Sequence, residues 1–142
     1  MTVFSPQDAL VAVMVTTSAA DAQITASELL SIDRMIRALP AFEGYDEDRV
    51  QRIGRTVLDL LSEEDGLEAI LGLVREALPP EANETAYALA CDVVAVDGTA
   101  EMTELRWLEM LRHALGVERL PAAAIERGAR ARHMRVPVTP EA

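Results

Sequence analysis

Lysine is absent from this sequence, cysteine and tryptophan occur once each, and aromatic residues make up only 4%. The single cysteine, Cys91, cannot form an intrachain disulfide, and it lies in an alanine-rich apolar run that predicts a buried thiol. No apolar run approaches the roughly 20 residues that cross a bilayer, and no basic leader or hydrophobic signal core opens the chain. We therefore expect a soluble, cytoplasmic protein without a membrane-inserted segment.

Positive charge is also scarce, because 13 basic residues stand against 24 acidic ones and the net charge is -11. An acidic surface repels a phosphate backbone, so a nucleic acid is not the expected partner. Cations and basic protein surfaces fit this charge better. The 142 residues are enough for one domain that buries its own core without disulfide or metal staples.

What the sequence does contain is one segment that occurs twice. Each copy is an apolar helix ending in Asp, a short polar turn, and a second helix with Glu seven residues after the Asp. Residues 19–29 and 95–105 align without a gap, and the similarity continues on both sides of them. The repeat predicts a domain built from two similar helix-turn-helix halves.

Apolar periodicity and helix-boundary signals predict an all-α fold of about seven helices. Ser5 before Pro6 marks the first helix start, Thr25 with Glu28 forms a capping box, and Gly116 suits a helix C-terminus. The fifth helix, residues 81–96, is apolar almost throughout and is therefore predicted to be central.

Further helices are predicted to start at the acidic residues 46–48 and at Ser62, and another near Pro121. Leu58 is assigned to the inner face of the third helix. We place one helical domain at residues 1–135 and a disordered tail at residues 136–142.

The two turns carry the residues that could bind a ligand. Asp21 and Glu28 belong to the first copy, and Asp97 and Glu104 belong to the second. Ca²⁺, Mg²⁺ and Mn²⁺ prefer several oxygen ligands, which carboxylates, hydroxyls and turn carbonyls supply. If the halves pack about a pseudo-twofold axis, all four carboxylates could face a shared pocket.

An EF-hand does not fit these turns, because its twelfth loop position must be a bidentate Glu. Counting from the Asp of each turn, that position is Ile32 in the first copy and Leu108 in the second. A cation site here would be of a different kind.

Two other interpretations of the acidic turns stay open. In the first, the acids only cap helices and accept hydrogen bonds from turn amides, which requires no metal. In the second, paired carboxylates act as catalysts, either Asp21 with Asp97 or Glu28 with Glu104, which requires a raised pKa in a dry cleft. The sequence has no glycine-rich phosphate loop or zinc-ligand spacing and no histidine beside a nucleophile, so we predict no catalytic residues.

The end of the last helix is basic, with arginines at positions 127, 130, 132 and 135 and a histidine at 133. Cations are favoured at the negative end of the helix dipole, which is a structural reason for this cluster. The alternative is a docking arm that binds an acidic surface of this chain or of a partner.

Four segments in this order and spacing resemble the TerB-like tellurite-resistance family, in particular its bacterial branch. The longest runs from Glu84 to Gly98 and includes the second acidic turn. The others are residues 65–67, 76–79 and 122–130. The resemblance extends over nearly the whole chain.

This resemblance implies an all-helical domain of about seven helices in two similar halves. It also implies a role in tellurite resistance and wider stress responses, with other Ter-type stress-response proteins, some of them membrane-associated, as partners. The acids proposed as metal ligands in the family fall here on Asp21, Glu28, Asp97 and Glu104. Ala22 departs from the family's usual glycine, so the two turns need not be equivalent.

We therefore predict a cytoplasmic, non-enzymatic stress-response domain whose acidic face binds a divalent cation or a basic partner surface. Ca²⁺, Mg²⁺ and Mn²⁺ are the candidate cofactors, and a second copy of the chain is a further candidate partner. The alternatives are a pure protein-interaction scaffold and a metal-assisted hydrolase.

Overall fold

The structure is a computed structural model that describes residues 3–20, 24–96 and 100–140. Within these ranges the chain forms seven α-helices and two short 3₁₀ turns and no strand, which confirms the all-α prediction. The helices are α1 (Pro6–Ser18), α2 (Ala26–Ala38), α3 (Arg49–Leu61), α4 (Gly66–Ala77), α5 (Asn83–Val96), α6 (Met102–Leu115) and α7 (Arg119–Arg132). In the described part of the chain, no helix has both the length and the apolarity needed to cross a membrane.

Several helix ends lie at the predicted capping residues. The Ser5 hydroxyl accepts a hydrogen bond from the Asp8 amide (3.0 Å), and the Asp8 carboxylate accepts one from the Ser5 amide (2.9 Å). Gly116 ends α6 in the left-handed conformation with φ of 67°, which glycine adopts at little cost.

Four helix starts differ from the prediction. α3 begins at Arg49, α4 at Gly66 and α5 at Asn83, all later than predicted, whereas α7 begins slightly earlier, at Arg119. Before α3 the Asp48 amide donates to Asp46 Oδ1 (3.0 Å), a local bond that competes with helical hydrogen bonding. The acidic residues in front of α3 therefore form a turn.

α1 and α5 pack against each other at the centre of the molecule. Every residue of α1 from Asp8 to Ser18 is buried, so neighbouring elements enclose this helix on all sides. α3 and α4 cover α1, α6 and α7 cover α5, and α2 contacts both central helices. α5 is therefore central, as predicted, but α1 is central as well. The arrangement of two similar halves stays a prediction.

One assignment to the core is wrong. Leu58 is 49% exposed, whereas Ile53 and Val57 on the same helix are fully buried. Successive residues of a helix are about 100° apart, so the position after Val57 turns away from α1.

The predicted burial of Cys91 is confirmed, and the aromatic side chains of Trp107 and Tyr87 are buried as well. Trp107 and Tyr87 are 1% and 2% exposed, and Cys91 is 5% exposed. Burial raises the pKa of the Cys91 thiol to about 12, because the apolar surroundings disfavour the thiolate. The thiolate, which is the nucleophilic form of cysteine, is therefore scarce at neutral pH.

A buried ionic cluster joins α1 to the start of α3. The fully buried Asp8 carboxylate accepts bonds from Arg49 Nε at Oδ1 (3.0 Å) and from Arg49 Nη2 at Oδ2 (2.6 Å). The Tyr45 hydroxyl also donates to Oδ1 (2.8 Å). Burial by itself raises the pKa of Asp8, but the hydrogen bonds from Arg49, Ser5 and Tyr45 outweigh it and lower the pKa to about 2.

This lowered pKa predicts a specific loss of stability in acid. The ordinary pKa of Asp8 is 3.8, and the folded pKa is about 2. The stabilisation is therefore complete above roughly pH 4 and is lost as the pH falls through the folded pKa. We expect on the order of 2 kcal/mol of unfolding free energy to disappear in this window.

Urea denaturation at a series of pH values measures this loss. Asp8→Asn should remove this part of the acid dependence. Asp33→Asn on α2, where the side chain is 42% exposed, should retain it. If the unfolding free energy of Asp8→Asn falls with pH in the same way as that of the unmodified protein, Asp8 is not the source of this acid dependence.

Candidate functional site

Two of the four predicted ligands can be located in the structure. Glu28 and Glu104 both occupy the third position of their helices, α2 and α6, and are 6% and 7% exposed. Asp21 and Asp97 lie outside the described residues. Buried carboxylates are uncommon unless they have partners, so the surroundings of Glu28 and Glu104 are informative.

Glu28 forms the capping box that the sequence predicts. Its Oε1 accepts hydrogen bonds from the Thr25 amide (3.3 Å) and the Thr25 hydroxyl (3.0 Å), while the Glu28 amide donates to Thr25 Oγ1 (3.2 Å). Its second carboxylate oxygen, Oε2, makes no hydrogen bond to any residue that the structure describes. One oxygen of this buried carboxylate is therefore used in capping.

Glu104 has the corresponding role at the start of α6. Its Oε1 accepts a hydrogen bond from the Glu101 amide at 3.0 Å. Both glutamates thus lie in the first turn of a helix, where the positive end of the helix dipole favours a carboxylate. The structure confirms that each glutamate caps its helix, as the capping interpretation requires.

A buried hydrogen bond connects the end of α1 to the start of α6. Trp107 Nε1 donates to Thr17 Oγ1 at 2.8 Å, and the Thr17 hydroxyl donates to the Val13 carbonyl at 2.7 Å. Thr17 is 0% exposed and Trp107 is 1% exposed. Thr17 precedes the first acidic turn, and Trp107 is three residues after Glu104, so this bond links the neighbourhoods of the two turns.

Sequence reasoning missed the Thr17 to Trp107 bond. Trp107 is recognisable as an apolar core residue, but no local pattern relates it to a residue 90 positions earlier. A threonine near the end of an apolar helix also has an intrahelical explanation, because its hydroxyl can bond the carbonyl four residues back. Thr16 does this with the Ala12 carbonyl at 2.7 Å.

Ser18, the last residue of α1, contains an unusual polar atom. Its side chain is 2% exposed, and its hydroxyl oxygen finds no hydrogen-bond partner among the described residues. A buried hydroxyl without a partner costs free energy, so its position needs an explanation such as a water or a ligand. Ser18 directly precedes the first acidic turn.

Within residues 3–20, 24–96 and 100–140, no three or more His, Cys, Asp and Glu side chains form a group that could hold a metal ion. Of the four predicted ligands, Glu28 and Glu104 lie within these ranges, and both aspartates lie outside them. The structure therefore leaves the four-carboxylate site as a prediction.

A model of a known protein family matches this chain. The model for "Tellurite resistance protein TerB" matches residues 7–127, which includes all seven helices except the first residue of α1 and the end of α7. Comparisons with curated proteins and with solved structures found no match.

Proposed function

Because this chain belongs to the TerB tellurite-resistance family, we propose that it is a non-enzymatic helical domain whose two acidic turns together bind a divalent cation. The proposed ligands are Asp21 and Glu28 in the first turn and Asp97 and Glu104 in the second. Oxygen ligands select hard cations, so Ca²⁺, Mg²⁺ and Mn²⁺ are the candidates.

The observation that carries this proposal is the hydrogen bond from Trp107 to Thr17. It places the first half of α6 against the last turn of α1. Glu104 and Trp107 are three residues apart on one helix, so their side chains share a face of α6. Glu104, from the second turn, is therefore held on the side of α6 that approaches the helix leading into Asp21.

Two further features favour a ligand at this position. Glu28 keeps one carboxylate oxygen without a hydrogen bond to the described residues, although its side chain is buried. The Ser18 hydroxyl is also buried without a partner in the described chain. A cation with its bound waters would provide partners for both groups, and it would offset the repulsion between carboxylates brought close together.

In this proposal, cation binding regulates association with other proteins. A bound divalent ion reduces the negative charge of the acidic face and joins two turns that belong to different helices. Both changes alter which basic surfaces the protein attracts. We propose that the partners are other stress-response proteins of the Ter type, some of them membrane-associated, and that the protein acts in the cytoplasm.

A second candidate function is a protein-interaction scaffold without a metal. The capping bonds of Glu28 and Glu104 favour it, because they give each carboxylate a role without a cation. The two candidates differ in one measurable respect. A cation site saturates and depends on both turns, whereas helix caps affect only stability.

An amide NMR titration of the chelator-stripped protein with Ca²⁺, Mg²⁺ and Mn²⁺ tests the proposal. We expect saturable changes at residues of both turns, abolished by Asp97→Asn, because a shared site loses ligands from one turn and binds weakly through the other. Asp59→Asn on the exposed side of α3 removes the same charge and should bind like the unmodified protein. If no ion gives saturable changes, the scaffold function replaces the cation site.

The Thr17 to Trp107 bond allows a second test of the same site. Thr17→Val keeps the shape of the side chain but leaves the buried Trp107 N–H without an acceptor, which costs about 1 to 3 kcal/mol. We expect cation affinity to fall about tenfold as well, since the two turns are no longer held together. Thr17→Ser restores an acceptor and should recover much of the affinity.

Trp107 is the only tryptophan in the chain, so its fluorescence reports unfolding in each variant. Affinity is measured separately by calorimetric titration at a temperature where all variants are folded. If Thr17→Val binds the cation as tightly as the unmodified protein, the bond stabilises the core and has no role in the site.

A further inference from the structure

An open apolar groove lies between α4 and α6, away from the buried face of α6. Its volume is about 800 Å³. Its apolar residues are Leu71, Met102, Leu105 and Met110, with Arg106 and Glu109 at its sides. Met102 is 78% exposed and Leu105 is 46% exposed, so this groove leaves apolar surface in contact with water.

Residues 134–140 present a second exposed apolar surface. They are not helical and follow the end of α7. Met134, Val136 and Val138 are 69%, 81% and 91% exposed. Alternate side chains of an extended chain point to the same side, so these three form a single apolar row when the segment is extended. Pro137 opposes helix formation there.

Charged residues are distributed unevenly between residues 127–135, the basic end of the chain, and the other residues. Residues 127–135 contain four of the thirteen basic residues and no acid, so the remainder is even more acidic than the net charge suggests. Arg132 binds Asp92 on α5 at 2.7 Å. Three exposed arginines form no ion pair with any described residue, namely Arg127, Arg130 and Arg135. This basic end therefore attracts the acidic body of another copy.

The dimensions of the two surfaces also agree. From Met102 to His113 the groove follows α6 for about 16 Å, at about 1.5 Å per residue. An extended chain from Met134 to Val138 covers about 13 Å, at about 3.3 Å per residue. The apolar row can thus lie along most of the groove. Methionines at the groove adapt readily to the shape of an incoming side chain.

We propose that residues 134–138 of one copy bind in the α4–α6 groove of a second copy. Met134, Val136 and Val138 enter the groove. Arg127, Arg130 and Arg135 remain at the surface of the acidic partner, where Glu101 precedes the groove. Glu109 also lines the groove, but it already binds Arg112 (3.2 Å) and His113 (2.9 Å) of its own helix. The two surfaces are different, and a reciprocal pair of such contacts, related by a twofold axis, closes a dimer. This self-association does not depend on the cation site.

Sedimentation equilibrium from micromolar to millimolar concentration tests the proposal. We expect a concentration-dependent dimer that weakens as salt is added, because part of the attraction is between charges. Shortening the chain after His133 removes the segment, and Leu105→Glu places a charge in the groove. Each variant alone should lose the dimer. Leu30→Glu, at a position of α2 with 50% exposure, is the matched control and should retain it.

Mixing the two defective variants distinguishes this contact from others. The shortened chain still has an intact groove, and Leu105→Glu still has an intact segment, so the mixture should form a one-to-one heterodimer. This heterodimer has one of the two contacts of the unmodified dimer, so it should be weaker, and it is measured at millimolar concentration. Circular dichroism confirms that both variants are folded. A mixture that remains monomeric at millimolar concentration overturns the proposal. Association that survives both changes also overturns it, and so does an unmodified chain that is monomeric at every concentration.

Discussion

Replacing Gly66 by alanine is expected to destabilise the protein by about 3 kcal/mol, within the range for an overpacked buried site. Gly66 is buried at the start of α4, close to the last turn of α3. A β-carbon at this position would overlap the carbonyl oxygen of Leu60 and lie 2.7 Å from its carbonyl carbon. These are backbone atoms of a helix, so a rotamer change cannot relieve the overlap and α3 and α4 must separate.

Gly72 on α4 and Gly54 on α3 provide matched controls. A β-carbon at either of these positions meets no atom within 4 Å. Alanine there should stabilise the protein by about 0.5 to 1 kcal/mol, because glycine loses more backbone freedom within a helix. Chemical denaturation of the three variants gives the comparison. Equal stabilities for Gly66→Ala and Gly72→Ala would show that the α3–α4 junction is not closely packed.

Replacing Asp8 by asparagine is expected to cost about 3 kcal/mol at neutral pH. The fully buried carboxylate accepts two bonds from Arg49 and one from Tyr45, so its loss leaves the guanidinium without its counter-charge. The side chain of Arg49 is 35% exposed, and water there compensates for part of the loss. The expected cost is therefore at the lower end of the range for breaking a buried ion pair.

The control for this prediction is an ion pair of the same type at the surface. Arg37 and Asp33 are 3.3 Å apart on α2, with side chains 63% and 42% exposed. Asp33→Asn should change stability by no more than about 0.5 kcal/mol, because water and salt screen such a pair. Urea denaturation at neutral pH measures both variants. If the two substitutions cost the same, the Asp8 cluster does not hold α1 to α3.

The cation site and the helix caps use the same atoms, and this overlap affects how the variants are interpreted. Removing the carboxylate of Glu28 or Glu104 would lose a cap as well as a ligand, and it would lower stability under either function. Thr17→Val and Thr17→Ser avoid this ambiguity, because Thr17 lies on α1 and neither caps a helix nor belongs to the predicted ligands. The serine variant separates the effect of the hydrogen bond from the effect of altered packing.

The sequence alone determined the features that depend on residues near one another in the chain. The N-cap Ser5, the capping box of Thr25 with Glu28, and the left-handed Gly116 each depend on residues within one turn of a helix. Local hydrogen bonding and backbone preference decide such features, so they can be recognised before the fold is known. The all-α class follows similarly from the 3.6-residue spacing of apolar side chains.

Only the tertiary structure decided which distant residues meet. Asp8 contacts Tyr45 and Arg49 from 37 and 41 positions away, and Trp107 contacts Thr17 from 90 positions away. Each of these residues also fits a simpler role in its own part of the sequence, as a helix cap, a surface residue or a core residue. No sequence pattern therefore indicates its distant partner. Their pairing depends on how helices pack around α1, since a buried polar group takes whichever partner the packing brings within hydrogen-bond distance.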